Sequence, residues 1–338
     1  MRAVRVTAFG AAPELVELPD PVPAPDGVVV RVEATGLCAS DRFAWLGHDD
    51  GVTLPFVPGH ELAGRVVATG PDVRRIRIGD RVTTPFVCGC GDCPQCRDGR
   101  SQVCPRQQQP GFTHDGSFAE LVALRHADHN LVPLPDGTDA GGAALLGCRV
   151  ATAYRALTGR GGVRPGDTVL VIGAGGVGLA AVLVAATLGA EVVVADPAPA
   201  ARARAAELGA AGTLDPAEGP ERVRELIGDG GARVAVESAG RAEALAFGIR
   251  ALRPHGVLVQ VGLLTAEPVV PVPEMIAKEL VLAGSHGMAA ADYPALVELV
   301  DSGRLDPARL VTRRIPLPDA PAALAAPPEP GSLTVVLP

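Results

Sequence analysis

Four cysteines stand close together in the first third of the chain. Cys90, Cys93, Cys96 and Cys104 form the pattern C-x2-C-x2-C-x7-C. Thiolates at such spacings close a tetrahedral shell around zinc and leave no open position, which marks a structural site. A metal there would staple the loop 87–105, which has too few apolar residues to hold itself. The plainer reading is a set of free or disulfide-bonded thiols. Met1 to Ala8 alternates polar and apolar residues as a strand does, without the look of a secretion signal. The default location is then the reducing cytoplasm, where seven Cys point to metal or catalysis. Cys88 is left over, a spare thiol or a substitute for Cys90.

A second set is dispersed. Cys38 lies in Gly36-Leu-Cys38-Ala-Ser40-Asp41, His60 and Glu61 in Pro58-Gly-His60-Glu61, and Cys148 in Leu146-Gly-Cys148-Arg. One His and two Cys would leave a fourth zinc position open for water or substrate, the pattern of a catalytic site. Each residue also has an ordinary reading. A Cys on an apolar helix is usually a small core residue. A single His is usually satisfied packing, and Ser40 and Asp41 suit the start of a short helix. Spacing alone leaves both readings open.

The third cluster is Gly173-Ala-Gly175-Gly176-Val177-Gly178. It follows a predicted strand, Thr168–Ile172, and opens a predicted helix, Val177–Leu188. In that context Gly173 permits a tight turn, Gly175 lets backbone approach a pyrophosphate, and Gly178 lets helix pack on strand. A phosphate would sit at the helix N-terminus, where N–H groups and the dipole favour an anion. Asp196 ends the next strand at about the 20-residue separation expected of a ribose-binding carboxylate. It would repel a 2′-phosphate, so NAD is favoured over NADP. Arg202 and Arg204 lie nearby and would moderate that preference. The alternative is a Gly-rich turn that binds nothing.

The elements that position these clusters fall into two styles. Gly27–Ala34, Leu62–Thr69, Arg81–Pro85 and Ser117–Leu124 are short Val-rich runs bounded by Gly, Pro and Asp, hence strands. Ala143–Leu157 has helical spacing. Beyond it, strands Thr168–Ile172, Glu191–Ala195, Val234–Ser238 and Gly256–Val261 alternate with helices Val177–Leu188, Ala200–Leu208 and Ala242–Leu252. That is the rhythm of a parallel, doubly wound α/β sheet. It stops near Leu282. A helix at Tyr293–Ser302 and a strand at Leu333–Leu337 close the chain.

The 338 residues suit two domains, and a net charge of -8 argues against a nucleic-acid partner. Aromatics make up only 3%, so the cores must be Val, Leu, Ala and Ile packed through Gly. Thr168–Ala190 carries no charge and is long enough to span a bilayer. Its internal glycines break it into a buried strand, turn and helix, so no membrane partner is expected.

Taken together, Cys38-Ala-Ser40-Asp41, Gly59-His60-Glu61, the four-Cys lobe, Asp115-Gly116-Ser117-Phe118-Ala119-Glu120, the Gly turn and Lys278-Glu-Leu…Gly284-Ser285 resemble the zinc-containing medium-chain dehydrogenase/reductase family. The resemblance is to its alcohol dehydrogenase branch, in order and over essentially the whole chain. It implies a GroES-like β-rich catalytic domain at 1–146 with a zinc lobe at 87–105. A Rossmann NAD-binding domain at 147–281 and a return to the catalytic domain at 282–338 complete the fold. It implies two zinc ions. One is catalytic, on Cys38, His60 and Cys148 with Glu61 behind as an exchangeable ligand, and one is structural. Asp41 would orient His60, and Ser40 would take the proton from the alcohol. The substrate would be a small alcohol or aldehyde, and the assembly a homodimer or homotetramer.

Three departures from the family stand out. Phe43 replaces the His that finishes the proton relay in many relatives, leaving His48 or cofactor hydroxyls and water for that step. No cation stands near Ser332 and Leu333 to meet the pyrophosphate. Arg202 is displaced from the cation position expected after Asp196. A polyol or amino-alcohol dehydrogenase of the same family is the nearest rival, though Cys148 stands where the polyol branch generally has a carboxylate. A non-catalytic nucleotide-binding paralogue is the rival from another class, and Cys38, His60 and Ser40 argue against it. The zinc-free quinone reductase branch lacks both metal sets. Phe86, Trp45, Phe112 and Met288 are candidates to line an apolar pocket.

Overall fold

Val-rich runs become strands here because β-branched side chains suit a pleated, packed surface, and Gly, Pro and Asp end them. In chain order the strands are β1 (Arg2–Arg5), β2 (Glu14–Glu17), β3 (Val28–Gly36), β4 (Glu61–Thr69), β5 (Arg81–Thr83), β6 (Leu121–Leu124), β7 (Val132–Pro133), β8 (Thr168–Ile172), β9 (Glu191–Ala195), β10 (Gly212–Leu214), β11 (Ala232–Glu237), β12 (Leu252–Gln260), β13 (Val281–Gly284), β14 (Arg313–Pro316) and β15 (Thr334–Leu337). The computed structural model describes residues 1–228, 230–264 and 266–338.

The chain divides into two compact units. One holds Met1–Ala151, Gly287–Pro328 and Leu333–Pro338; the other holds Thr152–His286 and Glu329–Ser332. The joins lie a few residues beyond the 146/147 and 281/282 positions set from sequence.

The first unit is built on a seven-stranded sheet in the order β14-β15-β3-β4-β5-β7, with β6 also paired to β3. Val28, Val30, Val32, Leu62, Val66, Val82, Val122 and Leu124 form one of its cores. In the β3–β4 register Gly36 stands opposite Glu61, which sets the Cys38 and His60 segments side by side.

The second unit holds six parallel strands in the order β10-β9-β8-β11-β12-β13. This is doubly wound Rossmann topology, with the switch point between β8 and β11. Helix Gly176–Thr187 is buried from Gly178 to Ala185. The long uncharged stretch is therefore β8, a turn and this helix. Among the described residues, no helix is long and apolar enough to cross a membrane.

Three local expectations change. The run Ala143–Leu157 is two α-helices, Ala140–Leu145 and Arg149–Arg155, broken at Leu146–Cys148, the second running on into a π-helical turn at Ala156–Arg160. Gly147 makes the break: its carbonyl accepts from Phe86 N–H at 2.9 Å, and a Cβ there would lie 2.9 Å from Thr84 O. In Ser117–Leu124 only the last four residues are strand. Gly116, Ser117 and Phe118 instead donate their N–H groups to Val57, Gly59 and Pro58. The parallel rhythm also runs one strand further, to β13. That strand is a short apolar run, Val281-Leu282-Ala283, of which only Ala283 is buried, and so short a run does not separate strand from helix.

Helix Ala39–Trp45 is tied to the C-terminal part of this unit by Arg42. Its Nη1 donates to the carbonyls of Leu324, Ala325 and Ala326 at 3.3, 2.8 and 3.0 Å, at the end of helix Ala320–Ala325. A cation there also meets the negative end of the helix dipole. Arg42→Ala is expected to lower unfolding free energy by roughly 1.5–3 kcal/mol, the range for hydrogen bonds from a charged donor. Urea denaturation would show a lower midpoint at unchanged slope; an unchanged midpoint contradicts the anchor.

Candidate functional site

Helix Ala39–Trp45 begins with Cys38 as N-cap, and Asp41 at the third helical position closes a capping box. Asp41 Oδ2 accepts the Cys38 N–H at 2.8 Å. Its Oδ1 accepts the Gly59 N–H at 3.1 Å and faces His60 Nδ1 at 2.8 Å. The capping reading and the orienting reading of Asp41 thus describe one side chain. It is 1% exposed, and it joins the Cys38 segment to the His60 segment. With Nδ1 committed to the carboxylate, His60 has Nε2 left as a ligand atom. Gly59 is required where it stands: its φ is +103°, and a Cβ would lie 2.7 Å from Ser117 Oγ and Phe118 N.

Cys38, His60, Glu61 and Cys148 each offer one ligand atom, all within 4.8 Å of one another, and His60, Glu61 and Cys148 are buried. Two thiols, an imidazole and a carboxylate gathered in so small a volume are a donor set that fits zinc. The Cys148 thiol hydrogen-bonds Cys38 and holds it well below the ordinary thiol range, with His60 and the Arg149 charge adding to the effect against burial. Burial disfavours the charged form of His60, but Asp41 outweighs it and raises the imidazole well above its usual value. Burial also raises Glu61, against the pull of Arg149.

The second metal group is Cys90, Cys93, Cys96 and Cys104. Their sulfurs lie 3.6 Å (Cys90–Cys104), 3.7 Å (Cys93–Cys104) and 4.0 Å (Cys90–Cys96) apart. Zinc–sulfur bonds of 2.3 Å in a tetrahedron place sulfurs about 3.8 Å apart. The residues fit the ion. The Cys96 N–H donates to Cys93 Sγ at 3.4 Å and helps draw that thiol down to about 7. All seven cysteines are free thiols. Cys88 stands outside the group against Thr84 Oγ1 at 3.3 Å, and burial pushes it up to about 11.

In the second unit, the Gly-rich turn follows β8. Gly173 has φ +89°, and a Cβ on it would lie 2.9 Å from Ala239. No atom stands within 4 Å of a Cβ built at Gly175, the N-cap of helix Gly176–Thr187. A cradle with open space over a helix N-terminus fits a pyrophosphate. Val177 follows in the helix's first turn. Asp196, just past β9, accepts the Ala174 N–H at 2.7 Å and the Ala198 N–H at 2.8 Å, so it braces the turn.

Other predicted residues distribute as follows. Ser40 is half-buried, with Oγ 3.8 Å from Cys38 Sγ. His48 is exposed, its ring 5.1 Å from Phe43, so its contact is with the residue it was expected to replace. Phe86 and Phe112 set their rings 6.1 and 5.4 Å from His60. Trp45 is buried and donates to Ala11 O, and Met288 is buried. Arg202 is spent on the Asp196 and Pro197 carbonyls at 2.6 and 3.0 Å and on Asp215 at 3.5 Å.

Two buried charged residues carry no sequence signal of their own. Arg149 follows Cys148 and pairs with Glu61. Glu237 ends β11 and accepts the N–H groups of Ala239 and Gly240 at 2.9 Å and a bond from Gln260 Nε2. It fixes the turn that packs on Gly173. Only the neighbouring apolar sequence could have hinted that these charges were buried.

Comparison with known proteins agrees with this geometry. The alcohol dehydrogenase GroES-like domain matches residues 24–136, and the zinc-binding dehydrogenase family matches residues 176–302. An alcohol dehydrogenase of Rhizobium meliloti (strain 1021) is 36% identical over 310 residues, 90% of this chain and 89% of the relative. Among solved structures, alcohol dehydrogenase TADH from Thermus sp. ATN1 aligns with TM-score 0.92 at 32% identity, covering 100% of this chain and 99% of that one. A zinc-binding dehydrogenase from Sinorhizobium meliloti 1021, bound to NADP, aligns with TM-score 0.88 at 31% identity, covering 100% and 99%. Fold and sites together define a zinc-dependent oxidoreductase that uses a nicotinamide cofactor. The chain belongs to the zinc-dependent medium-chain dehydrogenase/reductase family, in its alcohol dehydrogenase branch.

Gly178 gives the sharpest local prediction. A Cβ there would lie 1.8 Å from Gly173 O and 2.9 Å from Ser238 Oγ. Gly178→Ala must prise the helix from the turn. NADH titration is expected to show affinity falling about tenfold or more, equivalent to about 1.4 kcal/mol. Unchanged NADH affinity would contradict this packing.

Proposed function

We propose that the chain oxidises a small alcohol with NAD, or reduces the matching aldehyde or ketone, as an NAD-dependent zinc alcohol dehydrogenase. The observation that carries this reading is the convergence of Cys38, His60 and Cys148, with Asp41 seated on the outer nitrogen of His60. In this reading these three residues hold a catalytic zinc, with Glu61 behind. Cys90, Cys93, Cys96 and Cys104 hold a second, structural zinc. When bound, zinc supplies Lewis acidity toward the alcohol or carbonyl oxygen, and the nicotinamide accepts or returns the hydride.

The residues' own work follows. Ser40, beside Cys38, takes the hydroxyl proton and passes it outward. Asp41 keeps His60 in the tautomer that ligates and makes it a better donor. Phe86 and Phe112, flanking His60, favour a medium or aromatic primary alcohol over a sugar. Their apolar surface also thins the water around the reacting atoms.

Gly173, Gly175, Gly176, Val177 and Gly178 take the pyrophosphate in this reading. A relative of this fold is bound to NADP, so cofactor choice must come from residues and not from architecture. Asp196 favours NAD by repelling a 2′-phosphate. Arg202 is held by main-chain carbonyls and Asp215, which leaves it poorly placed to offset that repulsion. A cytoplasmic homodimer or homotetramer completes the proposal.

Cys38→Ser is expected to abolish turnover, lower zinc content from about two ions per chain to about one, and leave NADH binding intact. Metal analysis, steady-state kinetics and NADH titration check the three parts. Retained turnover would remove the catalytic-zinc assignment.

A further inference from the structure

Glu61 shares the metal pocket with the two thiols and the imidazole, and it is fully buried. Its surroundings hold it from two sides. Arg149 Nε donates to Oε1 at 2.8 Å, Arg149 Nη2 lies 2.6 Å from Oε2, and the Arg149 N–H reaches Oε1 at 3.1 Å. The guanidinium is itself 3% exposed and is fixed by a second bond, Nη2 to Leu37 O at 3.0 Å. On another side is Gly36, where a Cβ would lie 2.0 Å from Oε2, so the β3 backbone is notched to receive the carboxylate. Two charges buried this deeply need good mutual geometry: two hydrogen bonds on Oε1 and the close ion contact of Nη2 with Oε2, which has no hydrogen bond of its own, make up the fork.

The chemistry of the donor set says what the fork is for. A dication with two thiolates and a neutral imidazole is balanced. A free carboxylate within ligand distance would bind it as a fourth donor and close the position that substrate needs. We propose that Arg149 is a positioning residue that holds Glu61 in reserve. Its fork neutralises and fixes the carboxylate, so that the centre of Cys38, His60 and Cys148 stays open to an alcohol or carbonyl oxygen. This rests on the reading of those three residues as metal ligands. Arg149 sits next to Cys148 in the chain, so one turn of backbone places both a ligand and the restraint on its competitor.

The test uses the full-length protein loaded with cobalt(II), whose visible absorption reports the donor set. In Arg149→Met the spectrum of the Cys38-dependent cobalt is expected to change as a carboxylate joins the sulfur and nitrogen donors. Release of that cobalt to a chelator should slow, and kcat should fall about 10- to 100-fold, the range for lost outer contacts at metal sites, with KM moving less. Adding Glu61→Gln to the same chain should return spectrum and release rate toward wild type. An unchanged spectrum and release rate, with only a lower melting temperature, would make Arg149 a packing residue and overturn the proposal. If Arg149→Met does not fold, Arg149→Lys keeps the charge without the fork. The same spectral change at smaller amplitude supports the proposal, and no change overturns it. If wild type and Cys38→Ser bind the same amount of cobalt, the ligand reading itself fails, and this proposal falls with it.

Discussion

One buried carboxylate organises the candidate centre. Asp41 accepts from Cys38 N–H and Gly59 N–H and faces His60 Nδ1. It therefore caps a helix, ties two strand-end segments together and selects a histidine tautomer at once. Burial makes each of these bonds count, since an unsatisfied carboxylate there would be costly. Around it, Gly59 gives the turn its left-handed conformation, and the β3–β4 register brings Glu61 opposite Gly36. Cys148 arrives from a different element, at a helix break that Gly147 makes. The centre is thus a junction of three chain segments, each held by backbone bonds.

The second unit follows a different logic. Its site needs no converging side chains, only backbone that can approach a phosphate. The crossover order around β8 opens a crevice at the strand ends. Gly173 and Gly178 are pressed against Ala239 and against each other, while Gly175 faces open space. Asp196 braces this turn through the Ala174 N–H, and Glu237 fixes the neighbouring turn at Ala239 and Gly240 that packs on Gly173. The cost of burying Glu237 shows in its carboxyl, which burial raises against the bond from Gln260.

What was legible in the sequence divides along the same line. The four-cysteine lobe and the Gly-rich turn are local, so spacing alone carries their chemistry. Cys38, His60 and Cys148 are far apart, and spacing left a core reading open for each until a family resemblance ordered them. Their convergence depends on strand register and on a helix break, which a run with helical spacing over Ala143–Leu157 conceals. Arg149 was invisible for a related reason: an Arg on an apolar segment reads as surface unless its buried partner is known. β13 escapes because its apolar run, Val281-Leu282-Ala283, is too short to separate strand from helix. His48, a candidate for the end of the proton relay, sets its ring against Phe43.

The central claim is metal-dependent alcohol oxidation with NAD, and nicotinamide absorbance tests it most directly. Zinc-replete protein is given NAD or NADP with a panel of primary alcohols, secondary alcohols and polyols, before and after chelation. Reduction of NAD in preference to NADP is expected with at least one apolar alcohol, lost on chelation and restored by zinc. Turnover that survives chelation, or silence across the panel while NADH still binds, would contradict it.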